Sequence, residues 1–331
     1  MSQVPDETTC FPSAVRLESD FDVDLLQNEL AGLRDGGWAA QTTVVSSGEF
    51  TPASEIDWKC LVLRGPGGNP GRTDPGGPGR DSFAYTPWTG HTPYITQILK
   101  SLPAELRSAR LMSLAPGVRV PEHRDTPTGF AYGCVRLHIP ITTNPRAILV
   151  IDGAEYCWQP GALWYGDFSR PHSVANAGDT QRVHLVIDCA VTPGLLALFP
   201  ADFQSGVLQG EVAFYRPEVP LQPAELPAFR RRISVPPSFL RLDEPVRDTD
   251  EADLRASVTE AGGSLMMRVE NGLDIGLVHV GDGEFRLQGW YEERGLRLDL
   301  SSSPGQVIFH TRRGRKFHCV TRQALTAPGP A

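Results

Sequence analysis

The segment Val135-Arg136-Leu137-His138-Ile139-Pro140-Ile141 alternates apolar and polar positions with a period of two. It places Arg136 and His138 on one face, with Val135, Leu137, Ile139 and Ile141 on the other. Arg182-Val183-His184-Leu185-Val186-Ile187-Asp188 repeats the pattern, with Arg182, His184 and Asp188 on one face and Val183, Leu185 and Ile187 opposite. Such alternation predicts strands whose two faces meet different environments. Alternation alone leaves open whether the Arg-x-His face meets bulk water or a polar interior. Its repetition beside two candidate metal ligands favours an interior for Arg182 and leaves Arg136 undecided.

Ala109 to His123 reads as strand, Pro116-Gly117 turn and short strand. Residues 1–60 read as α/β, with a helix near Val23–Leu30 and a strand near Trp58–Leu63. After Asp188 prolines punctuate the chain (Pro193, Pro200, Pro217, Pro220, Pro223, Pro227, Pro236 and Pro237), predicting a short helix and extended connections over 190–250. Strand-like runs then return at 264–269, 275–280, 285–290, 296–300 and 307–310. The first three are separated by the hairpin signals Glu270-Asn271-Gly272 and Gly281-Asp282-Gly283. Residues 252–325 are therefore expected to form a small, mostly antiparallel β unit.

Residues 65–80 are almost all turn formers. A loop of that length is expected to be either an idle surface loop or a flap over a site, the latter with Arg72 and Arg80 as substrate contacts. It lacks the GxxxxGK[ST] spacing of a phosphate cradle.

The candidate chemistry lies in His123-Arg124-Asp125, with His172 and Arg182 downstream. Residues i and i+2 of an extended strand point the same way, so His123 and Asp125 can face one metal ion, and His172 supplies a second imidazole. Two imidazoles and one carboxylate on one side of an ion are the ligand set of non-haem Fe(II) oxygenases. Arg182 offers the planar, permanently charged fork suited to the far carboxylate of 2-oxoglutarate.

The run from about Tyr94 to Asp188 resembles the aspartyl/asparaginyl β-hydroxylase superfamily, particularly its bacterial branch of proline cis-hydroxylases. The pieces that carry the likeness are Thr92-Pro93-Tyr94 with Ile98-Leu99, Leu114-Ala115-Pro116-Gly117 leading to Pro121-Glu122-His123-Arg124-Asp125, and Arg136 to Pro145. Gly161-Ala162-Leu163-Trp164 to Asp179 and Arg182 to Asp188 complete it. The resemblance implies a mostly β fold, a double-stranded β-helix (cupin-like jelly roll) with flanking helices, over 1–200. A proline-rich connection (201–251) and a small β-rich C-terminal domain (252–331), which the resemblance does not reach, follow.

It also implies an Fe(II)/2-oxoglutarate dioxygenase, with iron on His123, Asp125 and His172, 2-oxoglutarate on Arg182, and O2 as the third reactant. His138 and His184 are then candidates for contacts to the ligands or co-substrate, and Arg136 for a substrate carboxylate. One branch of the superfamily binds iron without a carboxylate, and Asp125 sets this chain apart from it. The same aspartate argues against halogenation, since halogenases of this chemistry carry a small residue there.

Forty per cent hydrophobic residues over 331 positions is ordinary for a globular chain, and no apolar run approaches a membrane span. The N-terminus has neither a basic start nor an apolar core, and the six cysteines show no CxxC spacing. Free thiols in a reducing cytosol are the expectation. A net charge of -8 argues against a nucleic-acid partner.

Three functions remain: hydroxylation of a residue within a peptide (the Asp/Asn β-carbon favoured), hydroxylation of a free amino acid of the proline type, or a non-catalytic cupin-like binding module. The C-terminal unit tips the balance toward a peptide, although it can equally serve a homodimer. Its basic tip (Arg312, Arg313, Arg315, Lys316), with Arg230-Arg231-Arg232, reads first as a solvated basic face and second as a surface for an acidic segment. His310 and His318 with Cys319 are a weaker candidate for a second metal set.

Overall fold

The alternating segments become the middle of an antiparallel sheet. The computed structural model describes residues 12–33, 36–44, 50–52, 58–125, 128–204, 212–301 and 304–326. The large sheet runs in the order Ala14–Asp20, Ala162–Gly166, Cys134–Thr142, Arg182–Ala190, Glu105–Leu114, Trp58–Pro66 and Ala39–Ala40, with Phe83–Tyr85 also on Trp58–Pro66. A second sheet orders Ala154–Tyr156, Ala147–Ile151, His172–Asn176 and Arg119–His123. Leu114 of the first sheet packs with Val120, Leu149, Ile151 and Val174 of the second, closing the jelly-roll sandwich expected from the sequence.

Every residue of Arg182–Ala190 is buried, because this central strand is covered on both faces. Its apolar face (Val183, Leu185, Ile187) packs with Leu137, Ile139 and Leu111 beneath two helices, Val23–Gly32 and Pro93–Ser101, which contribute Leu26, Ile95, Ile98 and Leu99. Asp22 caps the first helix by accepting from Leu25 N at 3.0 Å. The second begins with Pro93 and no side-chain cap of its own. Glu29 of the first helix satisfies its free amides instead, accepting from Tyr94 N (2.6 Å) and Ile95 N (3.0 Å). The two helices thus dock as a pair, leaving the other sheet face to the lumen.

Eight strands, from Arg231–Val235 to Lys316–Thr326, form a closed antiparallel barrel, with Ile233 opposite Ala324 where first meets last. The hairpin signals mark its middle strands. The first stave falls inside the stretch expected to be connection, since its partners lie about 20 to 30 and more than 90 positions downstream. Val235, Phe239, Val258, Met267, Phe285, Leu296, Val307 and Phe309 fill the barrel. Phe285→Ala should destabilise it by about 3–5 kcal/mol; a denaturant titration with an unshifted midpoint would contradict this core assignment.

The Gly/Pro-rich loop is not a free flap. Gly67 N donates to Ser82 O (2.7 Å), Gly79 N to Gln288 O (3.0 Å), and Gly276 N to Gly79 O (2.9 Å), so the loop bridges the sandwich and the barrel. Gly289, at φ +80°, is required there, because a Cβ would stand 2.3 Å from Gly77 O. Arg72 pairs with Asp74 at 3.0 Å, and Arg80 lies 3.9 Å from Asp274. Arg72 is thus held by the protein, while Arg80 is exposed.

Candidate metal centre and co-substrate pocket

His123 ends one strand and His172 begins its antiparallel neighbour, where the two are direct register partners. Their rings stand 4.2 Å apart. Asp125 lies just past the strand end, its amide donating to Phe168 O at 3.0 Å, and its Oδ1 is 3.6 Å from His123 Nε2 and 3.9 Å from His172 Nε2. One ligand atom from each of the three falls within 4.8 Å of the others.

The imidazole Nδ1 atoms face carbonyls, Pro121 O at 2.8 Å and Arg170 O at 2.9 Å. A carbonyl only accepts, so each Nδ1 carries the proton and each Nε2 turns its lone pair to the centre. Burial also lowers the pKa of His172, favouring the neutral ring that a metal requires. Two imidazoles and one carboxylate converging from one side fit an Fe(II) ion with open positions.

The remaining oxygen of Asp125 accepts a short hydrogen bond from Arg136 Nη1. Arg136 in turn clamps Asp188 with Nε (2.6 Å) and Nη2 (3.1 Å). Asp188 also receives Ser108 Oγ (2.8 Å) and Arg110 Nη2 (3.3 Å), and Arg110 Nη1 reaches Thr73 O (3.2 Å) in the Gly/Pro-rich loop. Burial by itself would raise the Asp188 carboxyl, but Arg136, Arg110 and Ser108 outweigh it and hold the pKa at about 2.

Arg136 therefore faces the interior, where its partners are carboxylates of the protein rather than bulk water. Two carboxylates of the protein already occupy it, because Asp188 sits opposite it across the strand pair. Asp188→Asn would leave two buried guanidiniums sharing one fewer charge. Removing a partner from a buried pair typically costs about 3–5 kcal/mol. A loss of that size in urea unfolding, together with weakened Fe(II) binding by calorimetry, is expected; parental values in both would show that Asp125 does not depend on this chain.

Arg182, His184 and His138 form a second group on the same lumen face. Arg182 is 7% exposed, has no carboxylate partner among the described residues, and meets His184 Nδ1 at 3.2 Å. Burial lowers its guanidinium to about 10. His138 Nδ1 lies 3.4 Å from His184 Nδ1. Burial, then the Arg182 charge, pushes both imidazoles well below their ordinary pKa, so both are neutral at neutral pH.

Trp158 stacks on Trp164 at 5.3 Å and lies against both histidines. Phe168 joins the two groups, with its ring 4.9 Å from His138 and 4.9 Å from His172. His138 Nε2, Trp158 Nε1 and Trp164 Nε1 are buried without a hydrogen-bond partner in the protein. A cation without a carboxylate partner among the described residues, in a lumen with two unpaired indole N–H donors, suits an anionic ligand with several acceptors.

Sequence reasoning missed Trp158, Phe168, Ser108 and Arg110, and gave Asp188 no role. Only Asp188 left a signal, as the polar residue closing the alternation of its strand. His310 and His318, by contrast, are not brought together. Register pairs His310 with Cys319 and His318 with Thr311, so they point to opposite faces of the hairpin. His310 is instead buried 3.3 Å from Glu284.

Cys60, Cys134, Cys157, Cys189 and Cys319 are free thiols, while Cys10 lies outside the described residues. No described helix is long and apolar enough to cross a membrane.

Among solved structures, the chain is similar to a 2OG-Fe(II) oxygenase family oxidoreductase from Burkholderia pseudomallei (14% identity, 55% of this chain and 87% of that one, TM-score 0.38). It is also similar to a Pseudomonas putida prolyl-4-hydroxylase (15%, 54% and 93%, TM-score 0.33) and to a Trichoplax adhaerens prolyl hydroxylase solved with a peptide fragment (10%, 58% and 86%, TM-score 0.36). The family model described as Aspartyl/Asparaginyl beta-hydroxylase matches residues 21–191, more than half of the chain and the whole of the sandwich from its first helix to the strand bearing Arg182. The chain belongs to the aspartyl/asparaginyl β-hydroxylase family, a family of Fe(II)/2-oxoglutarate-dependent hydroxylases.

Proposed function

We propose that this enzyme hydroxylates an unactivated C–H bond of an amino-acid residue within a peptide, the Asp or Asn β-carbon being favoured. In this reading His123, Asp125 and His172 hold Fe(II), and Arg182 binds the far carboxylate of 2-oxoglutarate. The observation that carries it is the buried Arg182, without a carboxylate partner among the described residues, on the lumen face that also bears the three converging ligands.

Iron with 2-oxoglutarate and O2 supplies the oxidant that turns C–H into C–OH, the other oxygen atom leaving in succinate as CO2 is released. The chain's own residues bind and orient. Arg182 contributes charge and a planar fork, while His138 and His184 stay neutral and leave that charge uncancelled and undivided. Arg136, fixed by Asp188, holds one oxygen of Asp125 so that the other keeps its place at the metal. Trp158, Trp164 and Phe168 line the lumen with apolar surface and exclude water, which strengthens the Arg182–carboxylate contact.

We further propose a division in which residues 1–200 are the oxygenase unit and the C-terminal barrel serves the substrate. Mass spectrometry tests the reading after incubation with Fe(II), 2-oxoglutarate and ascorbate, setting free amino acids against short Asp- and Asn-containing peptides. One oxygen atom gained on a peptide supports it. Turnover of a free amino acid alone would favour the proline-type alternative, and succinate with no substrate in either class would sink the peptide reading.

A further inference from the structure

A cavity of about 440 Å³ opens where the barrel meets the chain leaving the sandwich. Its lining includes Phe214, Arg216, Glu284, His310, Arg312 and Phe317, and it shares no residue with the candidate iron site. Phe214 and Phe317 are 37% and 59% exposed, and they are the exposed phenylalanines among the described residues. Two phenyl rings kept in water at the rim of one cleft are unusual unless something covers them.

The charges inside the cleft are already sorted. Glu284 receives Arg216 (2.8 Å) and His310 (3.3 Å), while Glu292 receives Arg216 (3.0 Å) and Arg286. Its carboxylates are thus neutralised by the protein. Arg312 is exposed and has no carboxylate partner among the described residues. Arg313, grouped with it in the sequence, is spent elsewhere, bonded to Glu293 (3.3 Å) and lying over the Tyr132 ring (5.4 Å). Arg230 pairs with Glu260 at 2.8 Å. On a chain of net charge -8, the cleft presents uncompensated positive charge between two apolar walls.

The cleft is also tied to the oxygenase unit. Ala213 N donates to Phe130 O (2.9 Å) and Gly314 N to Ala131 O (3.0 Å), so both walls hang on the turn Phe130–Tyr132. Gly133 follows at φ +79°, where a Cβ would stand 2.8 Å from Ala213 O; only glycine admits this approach. That turn begins five positions after Asp125.

We propose that this cleft is an accessory binding site for an acidic polypeptide segment carrying an apolar side chain, held on Arg312 between Phe214 and Phe317. The proposal rests on the peptide reading above and places part of the substrate away from the reacting residue, on the barrel. Charge complementarity selects the carboxylates, and the two rings supply the burial that exposed ion pairs lack.

The test is fluorescence anisotropy on the full chain with a labelled Asp/Glu-rich peptide bearing one Phe, against the same peptide with Asn/Gln. Arg312→Glu and Phe317→Ser should each weaken binding of the acidic peptide about tenfold or more, with Arg312→Lys largely restoring it. Both positions are exposed, and an unchanged melting temperature verifies the fold. Binding should also weaken as ionic strength rises from about 0.01 M to about 0.15 M, where screening shortens from about 30 Å to about 8 Å.

His172→Ala should bind the peptide as the parent does. Equal affinity in Arg312→Glu and Phe317→Ser, equal affinity for the Asn/Gln peptide, or loss of binding in His172→Ala would each overturn the cleft assignment. Cleft binding without hydroxylation of any peptide would instead defeat the peptide-hydroxylase reading and leave the site standing.

Discussion

His172→Ala is expected to abolish Fe(II)-dependent formation of succinate and of hydroxylated product while leaving a folded protein. His172 and His123 face each other across one strand pair, and Asp125 Oδ1 lies 3.6 and 3.9 Å from their Nε2 atoms. Removing one imidazole leaves one imidazole and one carboxylate, which hold iron poorly. Because the ring is buried and packs edge-on to Phe168 at 4.9 Å, alanine also leaves a small cavity, so a modest fall in melting temperature accompanies the loss.

His123→Ala, at a more exposed position, should lose metal with less effect on stability. Isothermal titration with Fe(II) under anaerobic conditions separates these effects from turnover. Near-parental turnover in either variant would refute the triad. Asp125→Ala is the more informative third variant, because it also takes one of two carboxylates from Arg136, and its loss of hydroxylation should come with altered stability.

The second large effect concerns Arg182. Arg182→Leu removes the cation that has no carboxylate partner among the described residues. Leaving a desolvated carboxylate unpaired typically costs about 2–5 kcal/mol. The 2-oxoglutarate requirement should therefore rise about thirtyfold to several thousandfold, at about 1.4 kcal/mol per factor of ten. Fe(II) affinity should hold, since Arg182 makes no bond to His123, Asp125 or His172. Apoprotein stability should fall little or even rise, because an unpaired buried charge is replaced by an apolar side chain of similar reach. An unchanged 2-oxoglutarate requirement in Arg182→Leu, with a steep rise in Arg136→Leu, would reverse the roles assigned to the two arginines.

How much of this was legible beforehand differs by residue. Period-two alternation in 135–141 and 182–188 is a local property of a strand with unlike faces, so both strands and their apolar sides could be read directly. The helices at Val23–Gly32 and Pro93–Ser101 leave local signs too, an aspartate cap and a proline start. The HxD triplet declares itself because residues two apart share a face. The barrel's hairpins were readable from Gly-containing turns, but its closure was not. Closure depends on Arg231–Val235 pairing with Lys316–Thr326 at the far end of the chain, and nothing local records such a pairing.

The chain by itself therefore determined the strand faces, the chemistry of the candidate ligands and the family. Each is set by residue type and short spacing. Tertiary structure alone decided which groups meet. Register put Asp188 opposite Arg136 and so gave that arginine a carboxylate partner within the protein. It set His310 and His318 on opposite faces of one hairpin. Docking of the loop on the barrel turned a suspected flap into a bridge, with Arg72 on Asp74 and Gly79 bonded to the barrel. Arg136 and Arg182 occupy like positions in like strands, and the sequence ranks them nearly alike. Their difference is electrostatic, since Arg136 bonds Asp188 and Asp125 while Arg182 has no carboxylate partner among the described residues, and only the packing of distant segments fixes that.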